Sequence, residues 1–327
     1  DCDTTSIYVK FQVEDGKGVL DTDNYIVIWT TTPWTLPGNT GIVVEGEADY
    51  SLVETNRGKL VMATVLVEQI MQVSGIKEYK TLKTVKGAEL EGILCKHPFL
   101  DRTSKVVLGS EDTVAVELDT GTGAVHCAPS YGKEDYLSGI KNGLDIIVTV
   151  DGKGYQTEGA GPFAGLYYAK SSDAIIEWLE QNDYLLQKEV LNHSYPHCWR
   201  CKNPIIFRAT DQWFASVDGF REETLKAIKT VKWTPSWGEE RITSMVKDRN
   251  DWCISRQRTW GVPIPVFYCK ECGKEYATKE SFAKVQQIFR EKGSNSWFEL
   301  DEKELMPEGA TCGHCGCKEF KKETDIM

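Results

Sequence analysis

The sequence has no apolar run that approaches the length of a membrane span, and no cleavable signal segment is visible. It also has no internal repeat and no low-complexity tract, which excludes a repeat array and a largely disordered chain. Its 327 residues, of which 41% are hydrophobic and 27% charged, are typical of an ordinary globular protein. We therefore expect a cytoplasmic protein of two domains or more that has no membrane partner.

An initiator methionine is also absent. The chain begins with DCDTTSIYVKF, and it ends at KETDIM with no obvious terminal cap. We expect both ends to be cuts in a longer protein. A cut of this kind can separate the two halves of a metal site, and the pair of Cys198 and Cys201, described below, lacks a partner pair in this chain.

Basic residues are in the minority, since the formal net charge is −11, and this argues at first against a nucleic-acid partner. The charge is unevenly distributed, however. Residues 1–187 carry 15 basic and 28 acidic side chains, whereas residues 188–260 carry 13 basic and 9 acidic ones. The middle of the chain is thus the best candidate for contact with phosphate, and an acidic first part is compatible with binding of a single-stranded RNA end.

Eleven cysteines could indicate a secreted disulfide scaffold, but their spacing favours metal binding. Cys269 and Cys272 form one CxxC pair, and Cys312 and Cys315 form another after a 39-residue insert. Two such pairs match a tetrahedral, structural zinc site, in which Cys317 could replace Cys315. We expect the metal to hold together a small module that lacks its own core.

A third pair, Cys198 and Cys201, has no unassigned CxxC partner in the chain. We interpret it as half of a metal site that is unmetallated, or only loosely metallated, in this chain. The remaining four cysteines are scattered, which fits a reducing cytosol.

Short β-like runs such as SIYVKFQV and KLVMATVLV dominate the first part of the chain, and turn residues separate them. Many short strands broken by Gly, Asn and Asp indicate a β-barrel or a sandwich. Residues 171–186 predict an amphipathic helix with Ser171 or Ser172 as N-cap. Residues 267–327 predict a zinc ribbon with a polar helical insert. The predicted fold class is mixed α/β with a β-barrel-like first domain.

The segment WTTTPWTLPGN, residues 29–39, follows a β-type run and carries several hydroxyl groups to the end of a strand. Alternate side chains of a strand face opposite sides, so one or two of Thr30, Thr31, Thr32 and Thr35 should face a common pocket. Such a cluster of neutral hydrogen-bonding groups suits a polar ligand. Threonine is also simply a good strand residue, and that interpretation is favoured when the segment is considered by itself.

A second segment, DTGTGAVHCAPSYGKEDY at residues 119–136, favours a functional site. Gly121 and Gly123 permit a close backbone approach or a positive φ. His126 follows them, and Asp135 lies nine residues further on, beside Glu134. A single histidine is more often structural. Glycines, a histidine and an acidic pair within one segment make a polar site the better interpretation.

Together these two segments closely resemble the editing domain of isoleucyl-tRNA synthetases. HSYPHCWRCKNPIIFRATDQWF (193–214) and DWCISRQRTWGVPIPVFYC (251–269) resemble parts of that family's catalytic core downstream of the editing insertion. The four blocks occur in the family's order and cover most of the chain. Valyl- and leucyl-tRNA synthetases typically have Arg in place of Thr32 and an acidic residue in place of Trp34, so the resemblance is specific to the isoleucyl family.

The resemblance implies a site that hydrolyses mischarged valyl-tRNA(Ile). A pocket that binds isoleucine gains only about 1–3 kcal/mol against valine, a general figure for which this synthetase is itself the standard example. A second, hydrolytic site is therefore needed. We expect this editing activity from the chain, and the joining of isoleucine to tRNA(Ile) with ATP from the longer protein.

By resemblance, Asp135 matches the aspartate that binds the α-ammonium group of the substrate. His126 matches a site histidine that could limit pocket size, orient water, hydrogen-bond the terminal adenosine or act as a general base. Thr31 and Thr32 are expected to hold the ester or the attacking water, which completes the predicted catalytic set. The predicted substrate-binding set consists of Trp34, Thr35, Asn39, Gly121, Gly123 and Asp135.

The resemblance also divides the chain into three parts. Residues 1–187 would be the editing (post-transfer deacylation) domain, residues 188–266 part of a class I Rossmann-type catalytic core, and residues 267–327 the zinc-binding module. The HIGH-like and KMSKS-like sequences with which class I synthetases bind ATP are absent. We therefore expect ATP as a cofactor only in the longer protein. The resemblance also implies that the longer protein is a monomer and that the partner is the 3′ acceptor end of tRNA(Ile).

Two other interpretations stay open. A valyl-type editing domain would act on threonyl-tRNA, but Thr32 and Trp34 argue against it. A zinc-ribbon module that binds tRNA without catalysis would explain the cysteines and the basic middle. It would leave the threonine-rich segment and the GTGAVH segment unexplained.

Overall fold

The computed structural model describes residues 2–258 and 260–327, and the chain divides into two compact units. The first unit runs from the N-terminus to Ala209, and the second from Thr210 to Met327. Within the described residues, no helix is both long enough and apolar enough to cross a membrane.

The first unit is built mainly from strands. These strands are β1 (Cys2–Asp15), β2 (Asn24–Thr30), β3 (Gly41–Val44), β4 (Asp49–Thr55), β5 (Gly58–Ala63), β6 (Tyr79–Lys86), β7 (Leu94–Lys96), β8 (Thr103–Leu108), β9 (Ala124–Cys127) and β10 (Leu185–His193). Its α-helices are α1 (Val67–Val73), α2 (Lys133–Asn142) and α3 (Tyr168–Gln181). Short 3₁₀ helices cover Pro33–Gly38, Thr64–Leu66, Gly87–Leu90 and Glu158–Phe163.

Six of these strands close into a barrel in the order β1, β7, β8, β3, β9 and β2, because β2 pairs again with β1. The β3–β8 and β2–β9 pairs are parallel, and the other pairs in the ring are antiparallel. Closure leaves no free edge among these six strands. The large apolar core of this unit includes Ile7, Phe11, Ile28 and Leu60. The β-barrel-like fold predicted from the sequence is confirmed.

The predicted helix at residues 171–186 is shifted in the structure, because α3 begins at Tyr168. Ser171 is not the N-cap: it is buried within the helix, where its hydroxyl donates to the carbonyl of Tyr168. Asp183 has a φ of 59°, a left-handed conformation that cannot continue an α-helix. Leu185 then begins β10, so the apolar end of the predicted helix belongs to a strand.

The boundary predicted after residue 187 falls inside β10, which pairs with β1 from Leu185 to His193. Residues 188–193 therefore belong to the sheet of the first unit, which continues to Ala209. β10 is an edge strand with alternately exposed residues, so its composition turns polar before the fold ends.

The second unit contains short strands and helices. The strands are β11 (Phe214–Ala215), β12 (Trp252–Cys253), β13 (Phe267–Cys269), β14 (Glu275–Tyr276) and β15 (Phe320–Lys322). The helices are α4 (Asp218–Ile228), α5 (Gly238–Lys247), α6 (Lys279–Lys292), α7 (Ser296–Glu299) and α8 (Glu302–Leu305). β13 is the central strand of an antiparallel sheet with β14 and β15. The predicted helical insert corresponds to α6, whose N-cap Thr278 accepts from the N–H of Ser281.

Candidate functional site

The threonine-rich segment lies where β2 ends and a 3₁₀ helix begins. β2 ends at Thr30, and after Thr31 and Thr32 the 3₁₀ helix spans Pro33–Gly38. Pro33 starts this helix, because proline cannot donate to a strand ladder but fits the first turn of a helix. Thr31 and Thr32 are partly buried and line a cavity of about 340 Å³. The predicted common pocket thus contains at least these two threonines.

Trp34 forms another wall of this cavity. Its ring is 6% exposed and lies edge-on to Tyr131 and Tyr168, with ring centroids 5.1 and 5.2 Å away. Tyr168 and Ser172 of α3 also line the cavity. Edge-to-face pairs restrict the orientation of an aromatic ring. The ring of Trp34, a residue of the predicted substrate-binding set, is therefore held in one orientation as a wall of the cavity.

Buried side chains next to this segment form a directed hydrogen-bond chain. Asn39 Nδ2 donates to the carbonyl of Gly41 at 2.9 Å and to His126 Nδ1 at 2.7 Å. Asn39 Oδ1 accepts from the Ser104 hydroxyl, which fixes the orientation of the amide. His126 Nδ1 must then be an acceptor. The imidazole proton is assigned to Nε2, which lies 2.8 Å from Thr35 Oγ1.

The hydrogen-bond chain continues from His126 to the threonine side chains. Thr35 Oγ1 accepts from His126 Nε2 and donates to the carbonyl of Thr32 at 2.8 Å. The Thr32 hydroxyl lies 3.3 Å from both the Thr30 and the Thr35 hydroxyl. Because the Thr35 proton is already used, Thr32 is the donor in any bond to Thr35. The Thr32 oxygen therefore keeps a lone pair for a ligand in the cavity.

His126 is held as a neutral imidazole. It is 6% exposed, and burial lowers its pKa to about 3. Its two nitrogens are both hydrogen-bonded, one to Asn39 and one to Thr35. A general base needs a free lone pair and a pKa nearer to neutrality. Of the roles predicted for His126, this geometry disfavours the general base. It instead gives His126 a role that was not predicted, which is to orient the side chains of Asn39 and Thr35.

Gly121 and Gly123 shape the turn that leads into β9. Both have a positive φ, of 71° and 72°. A Cβ on Gly123 would lie 2.4 Å from the Cβ of Ala63, and one on Gly121 would lie 3.1 Å from the ring of Trp29. Neither glycine lines the cavity of Thr31. Backbone conformation and close packing explain both glycines, whereas these contacts do not support the predicted substrate contact.

Asp135 lies in the first turn of α2, and its carboxylate accepts from the N–H of Ala128 at 2.9 Å. Burial, with a smaller contribution from Glu134, raises its pKa to about 6. In the part of the chain that the structure describes, no salt bridge joins it to a basic side chain. A half-buried carboxylate without a basic partner is only partly compensated. Asp135 is therefore suited to a cationic ligand.

The structure thus joins Thr32, Thr35, Asn39 and His126 in one network. Asp135 lies outside that network, beyond the end of β9, and it does not line the cavity of Thr31. Ser104 also belongs to the network, although no sequence motif marks it. It is fully buried in β8 within an ordinary strand pattern. Only the pairing of β8 with β3, the strand that follows Asn39, brings it there.

In the second unit, the cysteines predicted as metal ligands lie together. The Sγ atoms within 4.8 Å of one another belong to Cys269, Cys272, Cys312 and Cys315. The Cys269–Cys315 and Cys272–Cys312 distances are 3.5 and 3.6 Å. Four thiolates around one ion at about 2.3 Å would lie about 3.8 Å apart. The cluster therefore fits a metal ion.

The module around these cysteines has an apolar core, so the expectation that it lacks one is wrong. Trp297 and Leu305 are fully buried and pack with Phe267 and Phe320. Helices α6, α7 and α8 contribute to this core, which the polar composition of the insert does not suggest. The metal and the apolar core together would stabilise the module.

The three CxxC pairs share one backbone conformation. In each pair the first cysteine donates its N–H to the carbonyl five residues later and accepts from the N–H four residues later. The latter position has a positive φ, of 62° at Lys202, 70° at Gly273 and 76° at Gly316. No third ligand joins Cys198 and Cys201 among the described residues. This geometry supports the half-site interpretation.

Cys317 lies apart from the cluster. Its Sγ accepts from the N–H of Glu319 at 3.2 Å, and its carbonyl accepts from the N–H of Cys312 at 2.8 Å. Both contacts use Cys317 to shape the turn around the second pair. In this conformation Cys315 is therefore the fourth candidate ligand.

Comparison with known proteins agrees with the resemblance found in the sequence. The model of the family described as tRNA synthetases class I (I, L, M and V) matches residues 5–327. The chain belongs to this family. The isoleucine–tRNA ligase of Caldicellulosiruptor saccharolyticus is 55% identical over 330 residues, which cover 99% of this chain and 35% of the relative. That of Desulforamulus reducens is 52% identical over 324 residues, which cover 98% and 34%.

The chain spans about a third of the length of these curated relatives. The sequence-based resemblance to isoleucyl-tRNA synthetases is thereby confirmed. A solved structure named "The crystal structure of GlLeuRS-CP1" is similar with a TM-score of 0.44 and 16% identity, and the match covers 58% of this chain and 100% of that chain.

Proposed function

We propose that the first unit is an editing site that hydrolyses valyl-tRNA(Ile), and that the longer protein joins isoleucine to tRNA(Ile) using ATP. One observation carries the proposal. The hydrogen-bond chain from Asn39 through His126 and Thr35 orients the Thr32 hydroxyl beside a cavity, and the Thr32 oxygen keeps a lone pair that can accept a hydrogen bond from a ligand. The identity of 52–55% with isoleucine–tRNA ligases supports the isoleucyl assignment.

Hydrolysis adds water to the carbonyl carbon of the ester, and the ribose hydroxyl leaves with a proton from that water. An aminoacyl ester is already labile, so orientation of the water can supply much of the acceleration. In the proposed site Thr31 and Thr32 hold the ester and the water. Asp135 pairs with the α-ammonium group. His126 orients Thr35 and takes no proton.

Trp34 sets the size limit of the proposed site. A wall must be rigid to separate valine from isoleucine, because the two differ by one methylene. The edge-on contacts of Trp34 with Tyr131 and Tyr168 support such rigidity. The valyl group would fit against this wall, and the isoleucyl group would be excluded.

The 327-residue chain should therefore hydrolyse valyl-tRNA(Ile) at least about tenfold faster than isoleucyl-tRNA(Ile), a difference of about 1.4 kcal/mol. Release of labelled amino acid from valyl-, isoleucyl- and threonyl-charged tRNA measures this directly. A preference for the threonyl ester would assign the site to the valyl type. Binding of the acceptor end without hydrolysis of any ester would leave only a tRNA-binding module.

We also propose that the bound metal is a single structural zinc ion, held by Cys269, Cys272, Cys312 and Cys315. The purified chain should contain about one zinc by elemental analysis, as expected for a four-thiolate site. Cys315→Ser should lose most of that zinc, whereas Cys317→Ser should keep it. Loss of zinc in the Cys317 variant with retention in the Cys315 variant would reverse the ligand assignment.

The proposed partner is the 3′ acceptor end of tRNA(Ile), whose unpaired nucleotides can enter a cavity. The basic side chains of residues 188–260 would contact its phosphates. We further propose that residues 210–266, the part of the predicted core that lies in the second unit, belong to a Rossmann-type core, and that the protein acts in the cytoplasm. Free thiols throughout the described cysteine side chains support a reducing compartment.

A further inference from the structure

The 3₁₀ helix Pro33–Gly38 has no internal hydrogen-bond donor for the carbonyl group of Trp34. In a 3₁₀ helix the carbonyl of residue i accepts from the N–H of residue i+3. The donor for the carbonyl of Trp34 would be residue 37, which is proline and has no N–H. A buried carbonyl without a donor is unfavourable, so this turn depends on a donor from elsewhere in the chain.

Gln156 supplies that donor. Its Nε2 lies 2.9 Å from the carbonyl of Trp34 and 3.1 Å from Ser171 Oγ, and its side chain is 2% exposed. Ser171 in turn donates to the carbonyl of Tyr168, whose ring packs edge-on against Trp34. One buried amide therefore ties the backbone of Trp34 to the helix that supports its side chain.

Two more side chains, the buried His97 and the half-buried Arg102, hold the end of the same turn. His97 Nε2 lies 2.9 Å from the carbonyl of Leu36, and its Nδ1 accepts from the N–H of Phe99, so the proton is on Nε2. Arg102 donates from Nη2 to the carbonyl of Pro37. Both come from the loop between β7 and β8. Side chains from two distant segments thus hold three carbonyls of one turn.

We infer that Gln156, His97 and Arg102 are positioning residues of the editing site, and that Gln156 sets its discrimination between valyl and isoleucyl esters. The inference rests on the proposed function. Thr32 immediately precedes the turn and Trp34 lies within it, so a shift of the turn moves both the hydroxyl and the wall. Discrimination by a single methylene is sensitive to such a shift.

The test is Gln156→Leu, which removes the donor at similar volume, in the full 327-residue chain. We expect a fall in kcat for valyl-tRNA(Ile) with little change in KM, and a gain of at least about fivefold in the hydrolysis of isoleucyl-tRNA(Ile) relative to valyl-tRNA(Ile). Destabilisation alone would lower both rates together. Gln181→Leu, the same change on the exposed face of α3, should leave both rates unchanged.

Pro37→Ala provides a specific rescue. Alanine at this position restores an N–H that can donate to the carbonyl of Trp34, so adding it to Gln156→Leu should recover discrimination. Recovery of this kind would link the effect to that one carbonyl. Wild-type discrimination in Gln156→Leu, or a defect that Pro37→Ala leaves unchanged, would overturn the inference. If the leucine variant does not fold, Gln156→Met tests the same loss with a more adaptable side chain.

Amide hydrogen exchange provides a second test of the role of Gln156, and this test does not depend on enzymatic activity. The N–H groups of Thr35 and Asn39 bond to the carbonyls of Thr32 and Leu36 within the turn. Their exchange should accelerate at least about tenfold in Gln156→Leu and slow again with Pro37→Ala. Unchanged exchange would overturn the inference even if the wild type hydrolyses no ester. Absence of hydrolysis by the wild type, with this exchange pattern intact, would overturn the proposed function alone.

Discussion

Asp135→Asn should slow hydrolysis of valyl-tRNA(Ile) about a hundredfold, since a charge-assisted bond to the ammonium group is worth up to about 3 kcal/mol. Asparagine keeps the size of the side chain and can still accept from the N–H of Ala128. The substitution removes the negative charge and replaces one acceptor oxygen by an NH2 group. Single-turnover deacylation of labelled valyl-tRNA(Ile) measures the loss. Glu134→Gln, beside it in sequence, should lose less than about threefold because we expect no contact between this side chain and the substrate.

The same carboxylate should set the pH dependence of editing. Its pKa is raised to about 6 by burial, so the carboxylate is protonated below that pH and cannot pair with a cation. The wild-type rate should therefore fall as the pH drops through about 6 and level off above it. The residual rate of Asp135→Asn should lack this step. A step of the same height in the asparagine variant would assign the titration to another group.

The free energy of unfolding should change with pH in the direction opposite to that of the editing rate. The folded-state pKa of Asp135, about 6, lies above the usual value of 3.8 for an aspartate, so folding favours the protonated form. Protonation of Asp135 therefore adds about 3 kcal/mol to the free energy of unfolding below pH 3.8, and this contribution is lost as the pH rises through about 6. Asp135→Asn should therefore be more stable than the wild type at about pH 8 and equally stable at about pH 4. A stability difference that does not vary with pH would contradict this.

His126→Gln should retain most of the editing activity, whereas His126→Leu should lose about tenfold or more. The reason is that His126 acts as a donor through Nε2, and the Nε2 of glutamine can reach the same Thr35 oxygen. Removal of that donor leaves the Thr35 hydroxyl held only by its bond to the carbonyl of Thr32, and this weakens the orientation of the Thr32 hydroxyl. Loss of one buried hydrogen bond costs about 1–3 kcal/mol, which gives the expected range. Deacylation rates of both variants at about pH 8 provide the comparison.

The histidine variants also separate two mechanisms. A general base would make both substitutions equally damaging, because neither glutamine nor leucine can take a proton from water. The step in rate near pH 6 should persist in His126→Gln, since it belongs to Asp135. In the wild type, the imidazole nitrogen resonances should report a neutral ring with its proton on Nε2 from about pH 5 to 9, given a pKa of about 3. A titration of the ring near its usual pKa of about 6.5 would contradict the proposed hydrogen-bond chain.

The barrel and the group of four cysteines were well predicted because both leave local patterns in the sequence. Alternating apolar runs with turn residues require paired strands, and cysteines two residues apart require a particular turn. The spacing of the two CxxC pairs predicted which four cysteines lie together, and the half-site at Cys198 and Cys201 stays a prediction. The limits of α3 and the end of the first unit were not predicted, because Asp183 and the polar edge strand β10 follow tertiary pairing rather than local preference.

The site was only partly predictable for the same reason. Thr32, Asn39 and His126 lie in recognisable segments, but the direction of their hydrogen bonds depends on Ser104, which is an ordinary strand residue in the sequence. The role of Gln156 was likewise not visible in the sequence. A proline at position 37 indicates that a carbonyl lacks its usual donor, yet nothing local shows which side chain supplies the replacement.

The central claim is that one pocket binds the ammonium group at Asp135 and the ester at the threonines. A crystal structure of the chain with a non-hydrolysable valyl-adenosine analogue tests it most directly. We predict the ammonium nitrogen within about 3 Å of the Asp135 carboxylate, and the ester-equivalent carbonyl or an ordered water on the hydroxyls of Thr31 or Thr32. An analogue bound elsewhere, or with its ammonium group away from Asp135, would contradict the claim.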